Sequence, residues 1–296
     1  MRINFEMIFL LMIGFVIVIT FVFPEAGMEM LDKIRNNDEV TLVNNPVINN
    51  PVVNNDNPVH EEPSDDYLSL ANWNLQIFGI SKASDQELMN DYASIISDYD
   101  IVFIQEIRDS SGTAFNQLCS LMNGYTCEVS SRAGRTQSKE QYGIIYKNYI
   151  SLENFVDYNP DSLDRWERPP VKATFNVNNY TFSVYNLHAK PSEVQMELRG
   201  LQNIVSNNGN EVIIGDLNAD CTYYDAYYGT EFDSWNWVIS DYEDTTVSST
   251  DCAYDRIILN DDAYEEYVSS GIRTQGITSD HSDHYLVYAE IMTTEV

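Results

Sequence analysis

Histidine, carboxylate and carboxamide side chains stand at the ends of apolar runs in this chain, and their types limit the chemistry open to it. Asn74 lies in Asn72-Trp73-Asn74-Leu75-Gln76, Glu106 follows Ile101 to Gln105, and His188 lies in Asn186-Leu187-His188-Ala189. Asp216 and Asn218 share Gly215-Asp216-Leu217-Asn218-Ala219-Asp220-Cys221. Asp255 sits in Tyr254-Asp255-Arg256, and Asp283 and His284 sit in Ser282-Asp283-His284-Tyr285. Any one of these motifs reads equally well as a turn or a hydrogen-bond anchor. Glu106 and Asp216, however, both follow apolar strands, where a lone carboxylate is costly unless it pairs or binds a metal. Two histidines among these oxygen donors describe a metal-assisted hydrolase.

The residue types suit phosphodiester cleavage. Attack of water on a phosphate diester needs a base for the water, an acid for the leaving oxygen and cations against the phosphoryl charge. Histidine does either proton task near neutral pH, and a carboxylate partner fixes its tautomer. Hard oxygen ligands favour Mg²⁺ or Mn²⁺. The sequence has no Cys/His spacing of a zinc site, no Gly-rich phosphate loop and no Gly-x-Ser-x-Gly elbow. His281 belongs to a preceding Ser-Asp-His copy that reads as loop.

Alternating strands and helices must bring these residues together. Leu68, Leu70, Asn72 and Asn74 share one face of a first strand by the two-residue period. Ser84-x-x-Glu87 reads as a capping box before a helix with Leu88, Tyr92, Ile95 and Ile96 on its apolar stripe. Ile101–Ile104 is a buried strand, and a second helix is expected over Thr113–Met122. Further strands are expected at Tyr125–Val129, Tyr142–Tyr146, Val171–Val177 and Tyr180–Leu187, with Asn178-Asn179 as a hairpin turn. A helix marked by Val194, Leu198, Leu201 and Val205 precedes strands at Val212–Ile214, Tyr254–Leu259 and Tyr285–Ile291. Two packed sheets with helices outside accommodate this order.

The domain begins near Tyr67. Before it, Met7 to Phe23 is an almost unbroken apolar run, read within residues 1–26 as a signal peptide or membrane anchor. Residues 27–66, with their repeated Asn-Asn-Pro-Val, form an Asn/Pro-rich linker. Residues 67–296 are the folded domain. Either reading of the N-terminus places it outside the cytoplasm, exported or tethered at the cell surface, with the membrane as a partner if the apolar run is retained. Nothing in the sequence points to a protein partner.

The 296 residues carry 46 Asp+Glu against 16 Lys+Arg, a net charge of -30. Such a balance excludes ordinary polyanion binding through a wholly basic face. The deficit is uneven, since from Arg108 to Lys172 bases and acids cancel. That window reads either as a locally less acidic surface or as a docking patch for a polyanion, with bound divalent cations adding positive charge.

In this order the motifs resemble the endonuclease/exonuclease/phosphatase superfamily and, within it, its deoxyribonuclease I branch. The resemblance runs from about Leu68 to Ile291. It rests on Asn74-Leu75-Gln76-x-Phe78-Gly79, Gln105-Glu106-Ile107-Arg108-Asp109-Ser110, the Asn-Ala-Asp-Cys string at Asn218, Cys252-Ala253-Tyr254-Asp255-Arg256-Ile257 and Ser282-Asp283-His284-Tyr285. It implies an α/β fold, a four-layer α/β/β/α sandwich of two packed mixed sheets with outer helices, that cleaves DNA with Mg²⁺ and is helped by Ca²⁺. By the same resemblance His188 and His284 are the acid/base pair, oriented by Glu140 and Asp255. Glu106, Asn74 and Asp283 hold the catalytic metal, and Asp216 and Asn218 bind the scissile phosphate or a second metal. Arg108 and Arg168 contact DNA. Asp244, Thr246, Ser248 and Thr250 match a structural calcium loop, although a plain Ser/Thr-rich turn fits the same string.

The chain departs from the family at Ser138, where a groove-reaching tyrosine is usual, and at Arg168-Pro169-Pro170, which lacks a carboxylate of a second calcium loop. Cys221 and Cys252 match the family's main disulfide. Cys119 and Cys127 bracket a turn at Asn123-Gly124 and form a candidate second one; free buried thiols are the alternative for both pairs. Two other functions fit the same residues: a phospholipid phosphodiesterase of this superfamily, and a surface binding module that has lost catalysis.

Overall fold

The structure, a computed structural model, describes residues 67–225 and 229–293. The expected export or anchor segment and the linker lie outside them. Among the described residues no helix is long and apolar enough to cross a membrane.

The chain runs β1 (Tyr67–Phe78), α1 (Ile80–Ala83), α2 (Gln86–Ile96), β2 (Ile101–Ile107), α3 (Thr113–Leu121), β3 (Tyr125–Val129) and β4 (Gln141–Lys147). It continues through β5 (Ser151–Asp157), β6 (Val171–Val177), β7 (Tyr180–Asn186), α4 (Val194–Gln202), β8 (Asn210–Asp216) and β9 (Asn236–Trp237). The last elements are β10 (Asp255–Leu259), α5 (Asp261–Glu265), β11 (Tyr267–Arg273) and β12 (Leu286–Met292). They build two six-stranded mixed sheets, ordered β11-β12-β1-β2-β4-β3 and β5-β6-β7-β8-β10-β9.

Alternation along the strands divides the core into three layers. Leu68, Leu70, Phe103 and Ile144 of one sheet meet Phe175, Val184, Ile214 and Ile257 of the other. The opposite face of the first sheet, with Ala71, Trp73, Val102 and Ile104, is covered by Tyr92 and Ile96 of α2 and Phe115 and Leu118 of α3. The outer face of the second sheet, with Tyr185, Ile213 and Ile258, is covered by Val194, Leu198 and Leu201 of α4. Helices, two sheets and a helix thus make the expected four layers. The cysteines form two disulfides, Cys119–Cys127 between α3 and β3 and Cys221–Cys252 between the segments flanking β8 and β10.

Some local readings change. The N-cap of α2 is Asp85, whose Oδ1 accepts from the N–H groups of Glu87 and Leu88, both at 3.1 Å. Ser84 instead closes α1, its hydroxyl donating to Ser81 O. Aspartate reaches the first free amides as well as serine does, so adjacent Ser and Asp leave the cap ambiguous by one residue. α4 ends at Gln202, and Val205 lies beyond it. The hairpin turn holds, with Asn178 and Asn179 both left-handed at φ 51° and 71°.

Candidate active site

Strand direction collects the polar motifs at one edge of the sandwich. β1 runs parallel to β2, with Asn74 level with Gln105, and β7 runs parallel to β8. The C-terminal ends of these four strands carry Asn74, Glu106, His188 and Asp216. β4, β10 and β12 run antiparallel to their neighbours, so their N-terminal ends arrive at the same edge. They bring Glu140 just before β4, Asp255 directly opposite Asp216, and His284 two residues before β12.

The two histidines form two mirrored pairs. His188 Nδ1 lies 2.6 Å from Glu140 Oε1, and His284 Nδ1 lies 2.7 Å from Asp255 Oδ2. In both, the carboxylate side is buried and the Nε2 atom turns toward one point. Asp216 Oδ2 marks that point, 3.3 Å from His188 Nε2, 3.6 Å from His284 Nε2 and 3.0 Å from Asn74 Nδ2. Burial alone would push the Glu140 carboxyl up, but His188, Arg168 and Arg108 around it hold it down at about 2. For His284 burial opposes the charge, yet Asp255, Asp216 and Asp283 raise its pKa to about 10. Burial pushes the Asp255 carboxyl upward, against the pull of His284.

Beneath the pairs a polar seam joins the sheets. Asn186 Nδ2 donates to Asn72 Oδ1 at 2.9 Å, Gln105 Nε2 to Leu187 O at 2.9 Å, and Asp216 N–H to Gln105 Oε1 at 2.9 Å. Gly215 crosses this seam at φ 149°, and a Cβ there would stand 2.0 Å from Leu187 O. Only glycine fits so close an approach. Of three supporting side chains, Ser282 lies in a motif read from the sequence, and Tyr142 and Thr245 carry no signal there. Tyr142 OH accepts the His188 N–H at 3.0 Å, Thr245 Oγ1 accepts the Asp255 N–H at 3.1 Å, and Ser282 Oγ donates to Asn74 O at 2.6 Å. His281, read as loop, is buried, and its ring stacks on Trp73. A hydroxyl becomes a site residue only through a fold that no short motif specifies.

Glu106 Oε2 accepts from Ile77 N–H at 2.8 Å and Arg108 Nη2 at 3.0 Å, while Oε1 faces Asn74 Nδ2 at 3.5 Å. Asp283 is half exposed at the rim, its Oδ1 3.7 Å from His284 Nε2. Asn218 is left-handed and donates from Nδ2 to Ala189 O at 3.0 Å. Arg108 also pairs with Glu140 at 3.2 Å, and Arg168 donates to the carbonyls of His188 and Ala189. Both arginines, with Thr136, Ser138, Glu167 and Lys190, line a cleft of about 240 Å³. Asp244, Thr246, Ser248 and Thr250 fall in one closed turn, in which Asp244 Oδ1 accepts from Thr246 N–H and Oγ1. An isolated bridge pairs Thr246 with His284, so this turn buttresses the site.

The Endonuclease/Exonuclease/phosphatase family matches residues 71–281. The chain belongs to this family. Within the family it is deoxyribonuclease I-like: Deoxyribonuclease-1 of Gallus gallus is 33% identical over 231 residues, 70% of this chain and 82% of the relative. Deoxyribonuclease gamma of Mus musculus is 32% identical over 238 residues, covering 71% and 76%. The solved endonuclease/exonuclease/phosphatase structure from Bacteroides vulgatus superposes with a TM-score of 0.57 at 17% identity, over 78% of this chain and 100% of its own. That likeness concerns the fold, which the family members share.

Proposed function

We propose that this protein is an exported or surface-tethered, divalent-metal-dependent endonuclease that hydrolyses DNA phosphodiester bonds with little sequence preference. The observation that carries the reading is the convergence of two histidine–carboxylate pairs on Asp216 Oδ2. A family member that only bound a ligand would not need both imidazoles mounted with Nε2 facing one point. The relatives named deoxyribonuclease supply the substrate class. The two disulfides support an oxidising compartment.

His284, with its pKa raised to about 10, carries its proton at neutral pH and is the acid. His188, aligned by Glu140, is the base. Water oxygen attacks phosphorus as its proton passes to His188 Nε2. The bond from phosphorus to the leaving ester oxygen breaks, and that oxygen takes the proton from His284 Nε2, leaving a hydroxyl on one fragment and a phosphomonoester on the other. Both imidazoles must be placed before the reaction, and the buried Glu140 and Asp255 do that.

The donor set suits a hard divalent cation. Glu106 and Glu140 stand with His188, and Asp216 and Asp255 with His284, so carboxylate oxygens outnumber the imidazole nitrogens, with Arg108 and Arg168 as neighbouring cations. Glu106, Asn74 and Asp283 would hold Mg²⁺ or Mn²⁺, with Asp216 and Asn218 toward the phosphate, and such an ion would neutralise charge on the phosphoryl oxygens. The closed turn of Asp244, Thr246, Ser248 and Thr250 would hold Ca²⁺. Arg108 and Arg168 would meet flanking phosphates from the cleft they line.

Supercoiled plasmid, sphingomyelin and a phosphomonoester, each supplied with Mg²⁺, separate the readings. Plasmid nicking is expected. Hydrolysis of the lipid alone moves the activity to a phospholipid headgroup, and inertness toward all three leaves a binding module.

A further inference from the structure

A β-branched residue at positive φ is an outlier that needs a reason. Near the end of β1 two consecutive residues enter the left-handed region, Gln76 at φ 41° and Ile77 at φ 54°. The pairing of β1 with β2 shifts register there, between Asn74 and Phe78. This bulge has a backbone task, because it aims the Ile77 N–H at Glu106 Oε2, 2.8 Å away. Glycine or asparagine would do that task with less strain. Nor does packing among the described residues explain the isoleucine, which is 63% exposed. Ile80, one turn on, is 51% exposed as well. An apolar tip therefore stands in solvent beside the carboxylate proposed to hold the metal.

Resting on the nuclease reading above, we infer that Ile77 is a specificity-determining residue that packs against the deoxyribose and base edge of the nucleotide beside the scissile phosphate. Isoleucine is among the side chains that proteins insert as apolar wedges in the DNA minor groove. Its place follows from the bulge, since the same backbone that orients Glu106 fixes where Ile77 projects. DNA is favoured over a lipid surface on two grounds. Two isoleucines offer little area to a bilayer. The cleft that Arg108 lines also presents Arg168 and Lys190, three cations against the one carboxylate of Glu167, which suits a polyanion.

The test uses the full chain with Ile77→Asn and Ile77→Leu, read by nicking kinetics on duplex DNA with Mg²⁺, thermal unfolding, and cosedimentation with phosphatidylcholine vesicles. Asparagine tolerates the left-handed backbone and keeps the N–H to Glu106, so its Tm should equal or exceed that of the wild type. Losing the apolar contact should raise KM about 5–10-fold with kcat within about twofold, as expected for about half an isoleucine buried on binding. Ile77→Leu should keep the wild-type KM. An unchanged KM in Ile77→Asn, or a KM in Ile77→Leu as high as in Ile77→Asn, overturns the inference, and a lowered Tm overturns the strain argument behind it. Vesicle binding lost in Ile77→Asn with KM unchanged assigns the tip to lipid instead. A wild-type protein that leaves DNA uncut overturns the nuclease reading and this inference together, whereas the other adverse outcomes overturn this one alone.

Discussion

Glu140 should make stability depend on acidity in a way that a single substitution removes. Its carboxylate is buried against His188, Arg108 and Arg168, which hold its pKa at about 2 against an ordinary 4.5. A carboxyl depressed by folding stabilises the native state fully above the unfolded value, and the stabilisation is lost as pH falls toward the folded one. Between about pH 6 and about pH 3.5 the unfolded chain takes up most of a proton here while the folded chain takes up almost none, a change of about 1.4 kcal/mol. Glu140→Gln has no proton to exchange. The part of its penalty that comes from leaving Arg108 and Arg168 without their partner is the same at both pH values and drops out of the comparison. Urea unfolding followed by the fluorescence of the buried Trp73 and Trp166 gives both stabilities. The gap between wild type and Glu140→Gln should narrow by about 1.4 kcal/mol on going from about pH 6 to about pH 3.5. A gap that stays constant would show that the carboxylate is not held ionised by its neighbours, and the His188–Glu140 pairing would fall with it.

Three further outcomes follow from the same geometry. Asp255→Asn removes the charge that helps raise His284 to about 10, so the His284 pKa drops and the alkaline limb of the nicking profile should move to lower pH; an unmoved limb would separate His284 from that profile. Gly215→Ala should lower stability by at least about 3 kcal/mol in urea unfolding, because its Cβ meets Leu187 O at 2.0 Å and backbone cannot yield as a side chain tip can. Replacing Cys221 and Cys252 by serine should cost about 2–4 kcal/mol, read as a lower unfolding midpoint than that of the oxidised wild type.

Much of the fold was legible because its strands are apolar and end abruptly. Val171–Val177 stands within the bounds read from sequence, and Asn178-Asn179 turns the chain as that dipeptide should. β5 and β11 escaped notice because Ser151–Asp157 and Tyr267–Arg273 are half-exposed edge strands whose polar residues blur the alternation. β9, with two residues, carries no pattern at all. In the site, both histidines, Glu106, Asp216 and Asp255 announced themselves at strand ends, while Glu140, Arg108 and Arg168 were reached only through the family resemblance. Tyr142 and Thr245, which help aim them, gave no such signal, since they act through single hydroxyls, whereas Ser282 stands in the motif of His284. Arg168 illustrates a different limit. Its type suggests a phosphate contact, and its burial shows that the guanidinium also holds the His188 and Ala189 carbonyls.

The claim at the centre of this account is that the two imidazoles facing Asp216 move the protons of phosphodiester hydrolysis. Initial rates of plasmid nicking with Mg²⁺ by the wild type, His188→Ala and His284→Ala test it most directly, with circular dichroism confirming that each variant folds. Each variant should lose about 10²–10⁴-fold, in line with the loss of one general acid or base, and chelation by EDTA should silence the wild type. Folded variants that nick at the wild-type rate would contradict the account.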